Sequence, residues 1–375
     1  MTTRQLIGLA IAAAVMVVAA VAVVLVRDQG AGKAFSPALL IPGFKDRVND
    51  VADIEIAAKS VFHLKRQKGG RWVLSEKANY PVVHENVKKV ILGLADARKI
   101  EPKTTRPDYY GRIGVADPGK TGGGTRLTFK NEKGEVLASV IVGKRKNLSG
   151  RLKAWTYVRL AAQAQTWLVD RLPRIETDPV RWLVPDLVEV KRDRMAHARA
   201  RHADGTILEV MRDTPDDADF KVVNLPKGAK LRMPSIANGF AGALGYLSFD
   251  DVRPVGEIDF SSATRTVYTT FDGLIVTVRT VKVGDAYWCR FTARFDANAV
   301  VKGKKGENLV LPDVPKDVAK EAQDINARVH GWAYRLPDYK AQDFTKRLDD
   351  MIEPPTKGKT KGQGKSQIKG KTGGN

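Results

Sequence analysis

The chain has 375 residues, of which 63 are Lys or Arg and 42 are Asp or Glu, so its formal net charge is +21. With 43% hydrophobic residues, it is too apolar to be a wholly disordered polycation and long enough for two ordinary domains. Its single cysteine, Cys289, excludes an internal disulfide, a zinc finger and a cysteine-ligated iron–sulfur cluster, because each of these needs more than one thiol from the chain.

The first predicted element is a membrane-spanning helix over residues 6–26, an uncharged run between Arg4 and Arg27. At about 1.5 Å per residue it covers roughly 30 Å, the thickness of the hydrocarbon layer of a bilayer. The alternative is a cleaved secretory signal, whose apolar core is typically about 7–15 residues and ends at a small-residue site. The triplet at 32–34 is a poor version of that site. The sequence therefore favours an uncleaved signal anchor, with residues 1–34 forming the transmembrane anchor and a juxtamembrane linker.

Charge gives conflicting evidence about the orientation of this anchor. Arg4 and the α-amino group lie before the span, whereas Arg27, Lys33, Lys45 and Arg47 follow it. A literal count puts the C-terminal side in the cytoplasm, but large domains after a single anchor translocate with little regard for such charges. Charge alone leaves the orientation open.

The residues after the anchor predict a sheet-rich α+β fold, because short runs of period two alternate with turn signals and a few helical patterns. Three predicted hairpins lie at 61–74, 126–142 and 195–210, and each has a glycine in its turn. In the third hairpin Ala alternates with His or Arg, so one face of the strand is small and apolar and the other is cationic.

Four helices are predicted from apolar residues at helical spacing, and these stripes face the core by default. The second helix opens after Pro234-Ser235, and the fourth has Asp338 as its predicted N-cap. The four stripes are Val87, Val90, Ile91 and Leu94; Ile236, Phe240, Leu244 and Leu247; Val318, Ala322, Ile325 and Val329; and Phe344, Leu348, Met351 and Ile352.

The order of predicted elements repeats within the chain. Residues 51–102 and 186–255 each read as strand, hairpin, helix and strand, and further strands follow in both halves. Identity between the halves is low, so the pattern predicts similar topology. We expect a first α+β module at 35–175 and a second at 176–353, with the boundary where prolines and charges interrupt the strands near 172–179.

Residues 354–375 form a distinct tail with six lysines, no acidic residue and no aromatic residue. Such a composition offers too little apolar area to offset the entropy of ordering, so a disordered basic tail is predicted. It is either a solubilising end or an adhesive for an anionic surface. The tail and the net +2 of residues 1–34 account for eight of the 21 charges, which leaves +13 on residues 35–353. The predicted folded body is therefore basic in its own right.

The segment from Gly114 to Thr121 fits the phosphate-loop pattern G-x-x-x-x-G-K-[ST] letter for letter. A phosphate cradle requires a buried strand before the loop and a helix that starts at the lysine, so that backbone N–H groups converge on the phosphates. Here Gly122, Gly123 and Gly124 follow the motif and lead into a strand pattern. The match is interpreted as accidental, and nucleotide hydrolysis is not predicted.

The remaining polar residues show no spacing typical of a cofactor, metal or catalytic site, so none is predicted. The histidines are interpreted as surface or hairpin residues. Cys289 lies in an aromatic strand pattern that favours a buried, inert thiol. Acidic pairs at 216–217 and 250–251 have no spacing that identifies a catalytic pair. The five histidines are His63, His84, His197, His202 and His330.

Basic residues next to aromatic ones raise the possibility of base stacking, as at Arg71-Trp72, Arg181-Trp182 and Tyr334-Arg335. No nucleic-acid-binding module accompanies them. Strand faces with arginine stems along apolar surface explain the pattern better, and nucleic acid is not the predicted partner.

Several short motifs, taken in order, resemble the domain of unknown function 4340 family, whose members are bacterial proteins with one N-terminal anchor and a duplicated-looking α+β ectodomain. The resemblance covers about residues 35–353, and its specificity comes from the order of the motifs. They are Arg71 to Leu74, Tyr110-Gly111, Ile113 to Pro118, Gly124 to Thr128, Val140 to Lys144, Tyr157 to Arg159, Gln165 to Val169, Asp178 with Trp182-Leu183, Leu247 to Val252 and Gly331 to Tyr334.

The resemblance implies a location in the cell envelope. It implies no catalytic residue, because none is assigned in that family. Its members are similar to envelope-facing accessory proteins of ABC-type export or gliding-motility-like permeases with an auxiliary subunit. A single-pass protein of the bacterial inner membrane, with its N-terminus in the cytoplasm and its body in the periplasm, is the expectation. Relatives have a similar Gly-Val-acid-Asp-Pro segment without Gly-Lys-Thr, which also explains the phosphate-loop letters.

Three functions follow as hypotheses. The first is a non-enzymatic accessory subunit that contacts an ABC-type transport or envelope complex. The second is a binder of anionic envelope polymer or lipid surface through the basic body and tail, whose affinity falls steeply with salt. The third is an envelope hydrolase with an unidentified acidic site, which a pocket holding two close carboxylates with opposed pKa shifts would favour.

Overall fold

The computed structural model describes residues 16–17, 37–147, 154–302, 311, 315 and 317–354. The predicted anchor, apart from two of its residues, and the tail after residue 354 lie outside these described residues. Within them, no helix is both long and apolar enough to cross a bilayer.

The described residues up to Val184 form one compact unit, built on a nine-stranded antiparallel sheet. The strand order in this sheet is β4-β3-β2-β1-β6-β7-β8-β9-β5. The strands are β1 Asp53–Ala57, β2 Val61–Arg66, β3 Trp72–Leu74, β4 Tyr80–Pro81, β5 Lys99–Pro102, β6 Thr125–Lys130, β7 Val136–Asn147, β8 Ala154–Leu160 and β9 Thr166–Val169. The helices are α1 His84–Ala95 and α2 Tyr110–Ile113.

The described residues from Pro185 form a second compact unit, built on an eight-stranded antiparallel sheet. The strand order here is β12-β11-β10-β14-β15-β16-β17-β13. The strands are β10 Met195–Arg201, β11 Ile207–Met211, β12 Lys221–Val222, β13 Asp251–Pro254, β14 Thr264–Thr270, β15 Leu274–Val283, β16 Ala286–Phe295 and β17 Trp332–Leu336. The helices are α3 Ile236–Ala241, α4 Val318–Val329, α5 Asp338–Phe344 and α6 Leu348–Met351.

The two sheets share one topology when the two-residue strand β4 is set aside. Strands β3-β2-β1-β6-β7-β8-β9-β5 then correspond position by position to β12-β11-β10-β14-β15-β16-β17-β13. In each unit a hairpin leads to a helix, and the strand after that helix crosses to the far edge of the sheet. The three predicted hairpins are β2–β3, β6–β7 and β10–β11, each paired antiparallel.

The division between the units lies between Val184 and Pro185, whereas the sequence places it between 175 and 176. The reason is that the proline-rich segment returns to the first unit after the strands end. The Val83 amide donates to the Trp182 carbonyl at 2.8 Å, and Val82 pairs with Leu183 in an isolated bridge. Trp182 and Leu183 are buried, so residues 176–184 complete the first core.

The structure confirms two predicted helices and corrects two. The apolar stripes of α1 and α4 are buried, apart from the half-exposed Val318. The helix predicted over 236–247 ends at Ala241, because Gly242 and Gly245 follow it. The prediction of one fourth helix capped by Asp338 is wrong: α5 and α6 are separate, and Pro337 occupies the N-cap position of α5.

Aromatic side chains fill the core of the second unit. Tyr268 of β14 contacts Phe240 and Phe344, with ring centroids 5.9 and 6.0 Å apart, and Phe291 of β16 contacts Phe344 and Tyr334 at 6.1 Å. These residues lie on the inner sheet face, where the alternation of each strand places its apolar positions. The opposite face of β10 carries His197, Arg199 and Arg201, as the alternation predicts.

Candidate functional site

Helix α1 of the first unit has apolar side chains that face the core and one that faces solvent. Val87, Val90, Ile91 and Leu94 are buried on its inner side, whereas Leu92 keeps 42% of its surface exposed. An exposed leucine beside the buried Ile91 widens the apolar stripe of the helix beyond what the core needs. The helix therefore presents apolar surface to solvent along one flank.

A cleft of about 360 Å³ lies along this flank of α1. Its floor is apolar, formed by Val51, Trp72, Ile91 and the exposed Leu92. Its rim is polar, formed by Asn49, Arg66, His84 and Lys88. Val48 and Gly70 complete the lining. A concave apolar floor with a few polar groups at its edge is the usual form of a binding site.

The rim of this cleft is cationic. Arg66 donates from Nη1 to the Asn49 carbonyl at 2.9 Å, and its Nη2 lies 3.7 Å from the exposed Glu132 carboxylate. Lys88 lies 4.0 Å from Glu85, and both side chains are more than half exposed. The exposed Lys88–Glu85 pair contributes little and exchanges readily, so Lys88 is available to an incoming carboxylate. Arg66, whose side chain is 27% exposed, adds positive charge beside it. The cleft therefore suits an apolar group that carries an acid beside it.

A second cleft of about 270 Å³ lies along α1 at Asn86, Lys89 and Val90 and is closed by residues 173–182. Glu176 of this cleft already accepts from the amides of Thr177 and Asp178 at 2.8 and 3.0 Å. The closing segment packs tightly, since a Cβ at Gly93 would lie 2.4 Å from Cδ of Pro173. The lining of this smaller cleft is thus held by contacts within the protein.

The segment that matches the phosphate-loop pattern, Gly114 to Thr121, forms a turn between α2 and strand β6 of the first sheet. Gly114 ends α2 in the left-handed conformation with φ +73°, and the segment then turns through Lys120 and Gly122 into strand β6. A helix N-terminus at the lysine is what phosphate binding requires, and a strand follows instead. The Lys120 ammonium lies 3.9 Å from Asp117 of the same turn. This geometry does not form a phosphate cradle.

Asp117 gives this turn a structural role. Its Oδ1 accepts from Nη2 of Arg126 at 3.0 Å and from Nη2 of Arg159 at 2.9 Å. Partial burial acts to raise the pKa of Asp117, but the hydrogen bonds from the two arginines outweigh it and hold the pKa below its ordinary value. Arg159 also donates to the Val115 carbonyl and lies over the Tyr110 ring at 4.8 Å. The motif Tyr110 to Pro118 is therefore held by contacts within the fold.

The histidines divide into paired and exposed residues. His63 Nδ1 lies 2.8 Å from Glu76, and His197 Nε2 lies 2.8 Å from Glu209. His84 and His330 are exposed, as a surface interpretation predicts. His202 lies in the turn of the β10–β11 hairpin, as the interpretation allows, but it is only 5% exposed because its ring is enclosed between Thr264 and the Lys346 carbonyl, each at 3.1 Å.

Cys289 is buried in strand β16, as the aromatic pattern around it predicts. Its Sγ lies 3.3 Å from Oγ1 of Thr280. Burial raises the pKa of the Cys289 thiol to about 12, because the surrounding core disfavours the thiolate. Since the thiolate is the nucleophile, this residue is held in its unreactive form.

One pair of carboxylates has opposed pKa shifts. Burial raises the pKa of Asp53, whereas a 2.9 Å hydrogen bond from Lys130 lowers that of Glu55. The two residues are i and i+2 on β1 and share one sheet face, where His63 lies 3.7 Å from Glu55. They line neither of the two clefts. The raised pKa of Asp53 comes from burial and the lowered pKa of Glu55 from its ion pair with Lys130, so both shifts have structural causes.

The acidic pair at 216–217 also has a structural role, since the Asp217 carboxylate accepts from the amides of Asp213 and Thr214 at 3.0 and 2.9 Å and closes a turn. Among the residues that the structure describes, no group of three His, Cys, Asp or Glu side chains is arranged to hold a metal ion. The α1 cleft was not predicted from the sequence. The local feature that indicates it is Leu92, an apolar residue that lies outside the buried stripe of α1.

Comparison with protein families gives a match over half of the chain. The family model described as "Domain of unknown function (DUF4340)" matches residues 72–259, half of the chain. This region starts in β3, includes α1 with both of its flanks, and continues past β13 into the second unit. No curated protein and no solved structure matches significantly.

Proposed function

The chain belongs to the domain of unknown function 4340 family, and from that premise we propose that it is a non-enzymatic accessory subunit of an ABC-type transport or envelope complex. In this proposal residues 6–26 are a permanent inner-membrane anchor, with the N-terminus in the cytoplasm. The two α+β units then lie in the periplasm and act by contact with a partner protein. The permease or its auxiliary subunit is the proposed partner.

The observation that carries this proposal is the open cleft beside α1. Its floor exposes Leu92 next to the buried Trp72 and Ile91, and an apolar concavity with a polar rim can receive an apolar side chain of a partner. Arg66 and Lys88 at the rim favour a partner segment that inserts an apolar side chain and places a carboxylate beside it. Few residues on each side are needed, since a small anchored cluster carries most of the energy of an interface.

Site-specific photocrosslinking in intact cells tests the contact. A photoreactive phenylalanine analogue replaces Leu92 in the full-length chain, and the matched control carries it at Val136, which is 57% exposed in the same unit and lies outside the cleft. We expect an adduct with a membrane protein from position 92 and not from 136. Equal adducts from both positions, or none from position 92, would contradict the proposed contact.

Charge reversal on neighbouring lysines gives a second test of the same surface. Lys88 faces the larger cleft and Lys89 the smaller one, so K88E and K89E change the net charge equally. We expect K88E to abolish recovery of the partner from detergent-solubilised membranes and K89E to leave it unchanged. Equal recovery with the two variants would show that the cleft is not the docking surface.

The placement has its own test, which does not depend on the partner. A periplasm-dependent reporter fused after Asn375 is expected to be active, and a chain without residues 6–26 is expected in the soluble fraction. An active cytoplasm-dependent reporter, or mature protein that begins after residue 26, would exclude the proposed placement.

A further inference from the structure

Four arginines form a row across the outer face of the second sheet. Arg201 of β10 pairs with Arg265 of β14, Arg265 pairs with Arg279 of β15, and Arg279 pairs with Arg290 of β16. These four strands are consecutive in the sheet, and directly opposed residues of antiparallel strands point to the same face. Since neighbouring strands lie about 4.8 Å apart, the row extends roughly 15 Å at right angles to the strands.

The row carries uncompensated positive charge. Among the described residues, none of the four guanidinium groups has a carboxylate within ion-pair distance, whereas Arg199 pairs with Glu209 and Arg294 with Asp296 on the same sheet. Like charges placed directly opposite each other destabilise a sheet. Partial burial and the proximity of Arg279 both lower the pKa of Arg290, which shows the repulsion within the row. An anion bound along the row would offset this repulsion.

The row forms a track that is bordered mostly by uncharged residues. Along one side lie Thr277 and Thr292, directly paired residues one step further on the same face, and they add hydroxyl donors. Along the other side lie Val281 and Trp288, also paired and part of an apolar cluster with Phe260. Arg290 stacks on the Phe260 ring at 5.3 Å, which fixes its direction. Two further arginines flank the row, Arg199, which is paired with Glu209, and Arg253, which lies over Trp288. The four unpaired guanidinium groups themselves form one line, and a line of charge matches a linear anion better than a planar membrane.

The aromatic rings near the track are covered. Trp288 is 4% and Phe260 7% exposed, and Arg253 lies over the Trp288 ring at 4.9 Å. Recognition of single-stranded nucleic acid uses exposed aromatic rings on which bases stack, and the track offers none among the described residues. Guanidinium forks, in contrast, match phosphate oxygens in a bidentate manner.

We propose that the arginine row Arg201, Arg265, Arg279 and Arg290 is a binding track for a linear, phosphate-bearing polymer of the cell envelope. The row gives this basic protein a second ligand, on a different unit from the α1 cleft. The envelope source of the polymer rests on the periplasmic placement proposed above, whereas phosphate binding by the row depends neither on that placement nor on the accessory role. Binding relieves the repulsion between the opposed guanidinium groups, so affinity and stability are coupled at this surface.

The test uses the full-length chain in a neutral detergent and short-chain inorganic polyphosphate as the probe. The variant R265Q/R279Q removes the two central charges of the track, and the control K227Q/K230Q removes two exposed charges of the same unit outside it. Because both proteins keep the lysine-rich tail, non-specific attraction is matched. We expect at least about a tenfold loss of affinity for the track variant and less than about twofold for the control, as expected for loss of specific rather than general charge contacts.

Salt and heat give readouts that a purely structural role would not move. The plot of log affinity against log salt should lose a slope of about two in the track variant, because about two phosphate contacts disappear. The unliganded track variant should unfold at the same temperature as the wild type or higher, because the opposed charges are gone. Equal losses of affinity in the two variants, or an affinity that does not change with salt, would overturn the proposal. So would a track variant that is unfolded at the temperature of the binding measurement.

Two further probes decide the ligand class. Vesicles of phosphatidylglycerol and phosphatidylcholine in equal parts present phosphates in a plane, and single-stranded oligothymidylate presents them with bases. The proposal requires polyphosphate to compete with both and to show the largest difference between the track variant and its control. A larger difference on vesicles would assign the row to a membrane surface, and a larger one on oligothymidylate to nucleic acid, and either result would replace the proposed ligand.

Discussion

Arg159 and Asp117 are 42 positions apart in the chain and are joined by a 2.9 Å hydrogen-bonded ion pair. Arg159 is 7% exposed and also holds the Val115 carbonyl, so one guanidinium ties strand β8 to the turn that carries the phosphate-loop letters. Arg126 of β6 donates to the same carboxylate oxygen. The turn is thus fixed from two strands, and its glycines allow the backbone to come close.

Replacing Asp117 should therefore affect stability rather than any nucleotide-dependent activity. In D117N the two arginines lose their shared anion, and Arg159 is left charged in a buried position. We expect a loss of about 2 kcal/mol in the free energy of unfolding, below the usual cost of a broken buried pair because the Asp117 side chain is 41% exposed. Urea unfolding of the detergent-purified chain measures it.

Lys120 provides the matched control for this prediction. Its ammonium is 73% exposed and lies 3.9 Å from Asp117, so K120A should change stability by less than about 0.5 kcal/mol. In a phosphate loop, by contrast, the lysine binds the nucleotide phosphates, so its replacement would abolish nucleotide binding. Nucleotide-dependent stabilisation of the wild type that K120A abolishes would refute the structural interpretation.

Gly124 is expected to tolerate no side chain. A Cβ at this position would lie 2.5 Å from the Gly114 carbonyl oxygen and 2.6 Å from that of Val142. Both contacts are with backbone, so relief requires the turn to move away from the sheet, and G124A should cost about 2 kcal/mol or more. Thermal unfolding of the full-length chain checks the prediction.

Gly239, exposed within α3, is the comparison for Gly124. Nothing lies within 4 Å of a Cβ there, and alanine is the better helix former, so G239A should stabilise by about 0.5–1 kcal/mol. Equal effects of G124A and G239A would mean that the turn does not pack on the sheet as described.

Local sequence signals predicted the hairpins well. The β6–β7 and β10–β11 pairs have alternating apolar positions and turns with a left-handed glycine at 134 and 205, and both features are readable from neighbouring residues. The helix after Ser235 was predicted too long because apolar spacing continues to Leu244, which is buried although the helix ends at Ala241. The apolar spacing beyond Ala241 reflects the burial of these side chains and not a helical backbone.

Long-range contacts explain what local patterns missed. The His202 ring is enclosed by a carbonyl 144 positions away, and no spacing around His202 indicates this burial. The α1 cleft likewise needs Val51, Trp72 and Leu92 from separate elements. The arginine row was visible from the sequence only as a cationic strand face on β10, because its four members become neighbours through the register of four strands.

The ion pairs of Arg194 should be important for the stability of the second unit. This arginine is 4% exposed and donates to both carboxylate oxygens of Glu321 at 2.9 and 2.8 Å and to Asp272 at 2.9 Å. E321Q leaves a buried guanidinium with one anion, so we expect a loss of about 3 kcal/mol in urea unfolding. D324N, on the same helix, breaks only the exposed pair with Lys320 and should cost about 0.5 kcal/mol or less. Similar losses in the two variants would contradict the buried network.

The single thiol of the chain gives a chemical measure of core integrity. Because burial holds the pKa of Cys289 at about 12, native protein at about pH 8 should react with N-ethylmaleimide far more slowly than the same chain in denaturant, where an ordinary thiol pKa applies. Mass spectrometry of the intact chain counts the adduct. Native labelling at a rate within about tenfold of the denatured rate would show that β16 opens readily to solvent.

His202 should make the stability of the second unit dependent on pH. Burial, followed by the nearby charge of Arg347, lowers the pKa of His202 below its ordinary 6.5, while the hydrogen bond to the Lys346 carbonyl and the charges of Asp204 and Asp350 act in the opposite direction. The folded state therefore binds fewer protons than the unfolded state, so the contribution of neutral His202 is complete above about pH 6.5 and is lost as the pH falls below it toward the lowered pKa.

We expect the unfolding free energy of the wild type to fall between about pH 7 and pH 5 and that of H202Q to fall less, since glutamine fills the site without titrating. H330Q, which changes an exposed histidine of the same unit, should follow the wild type. Thermal unfolding of all three proteins across this range separates the cases. Parallel curves for H202Q and the wild type would mean that the buried ring is not the group whose protonation opposes folding.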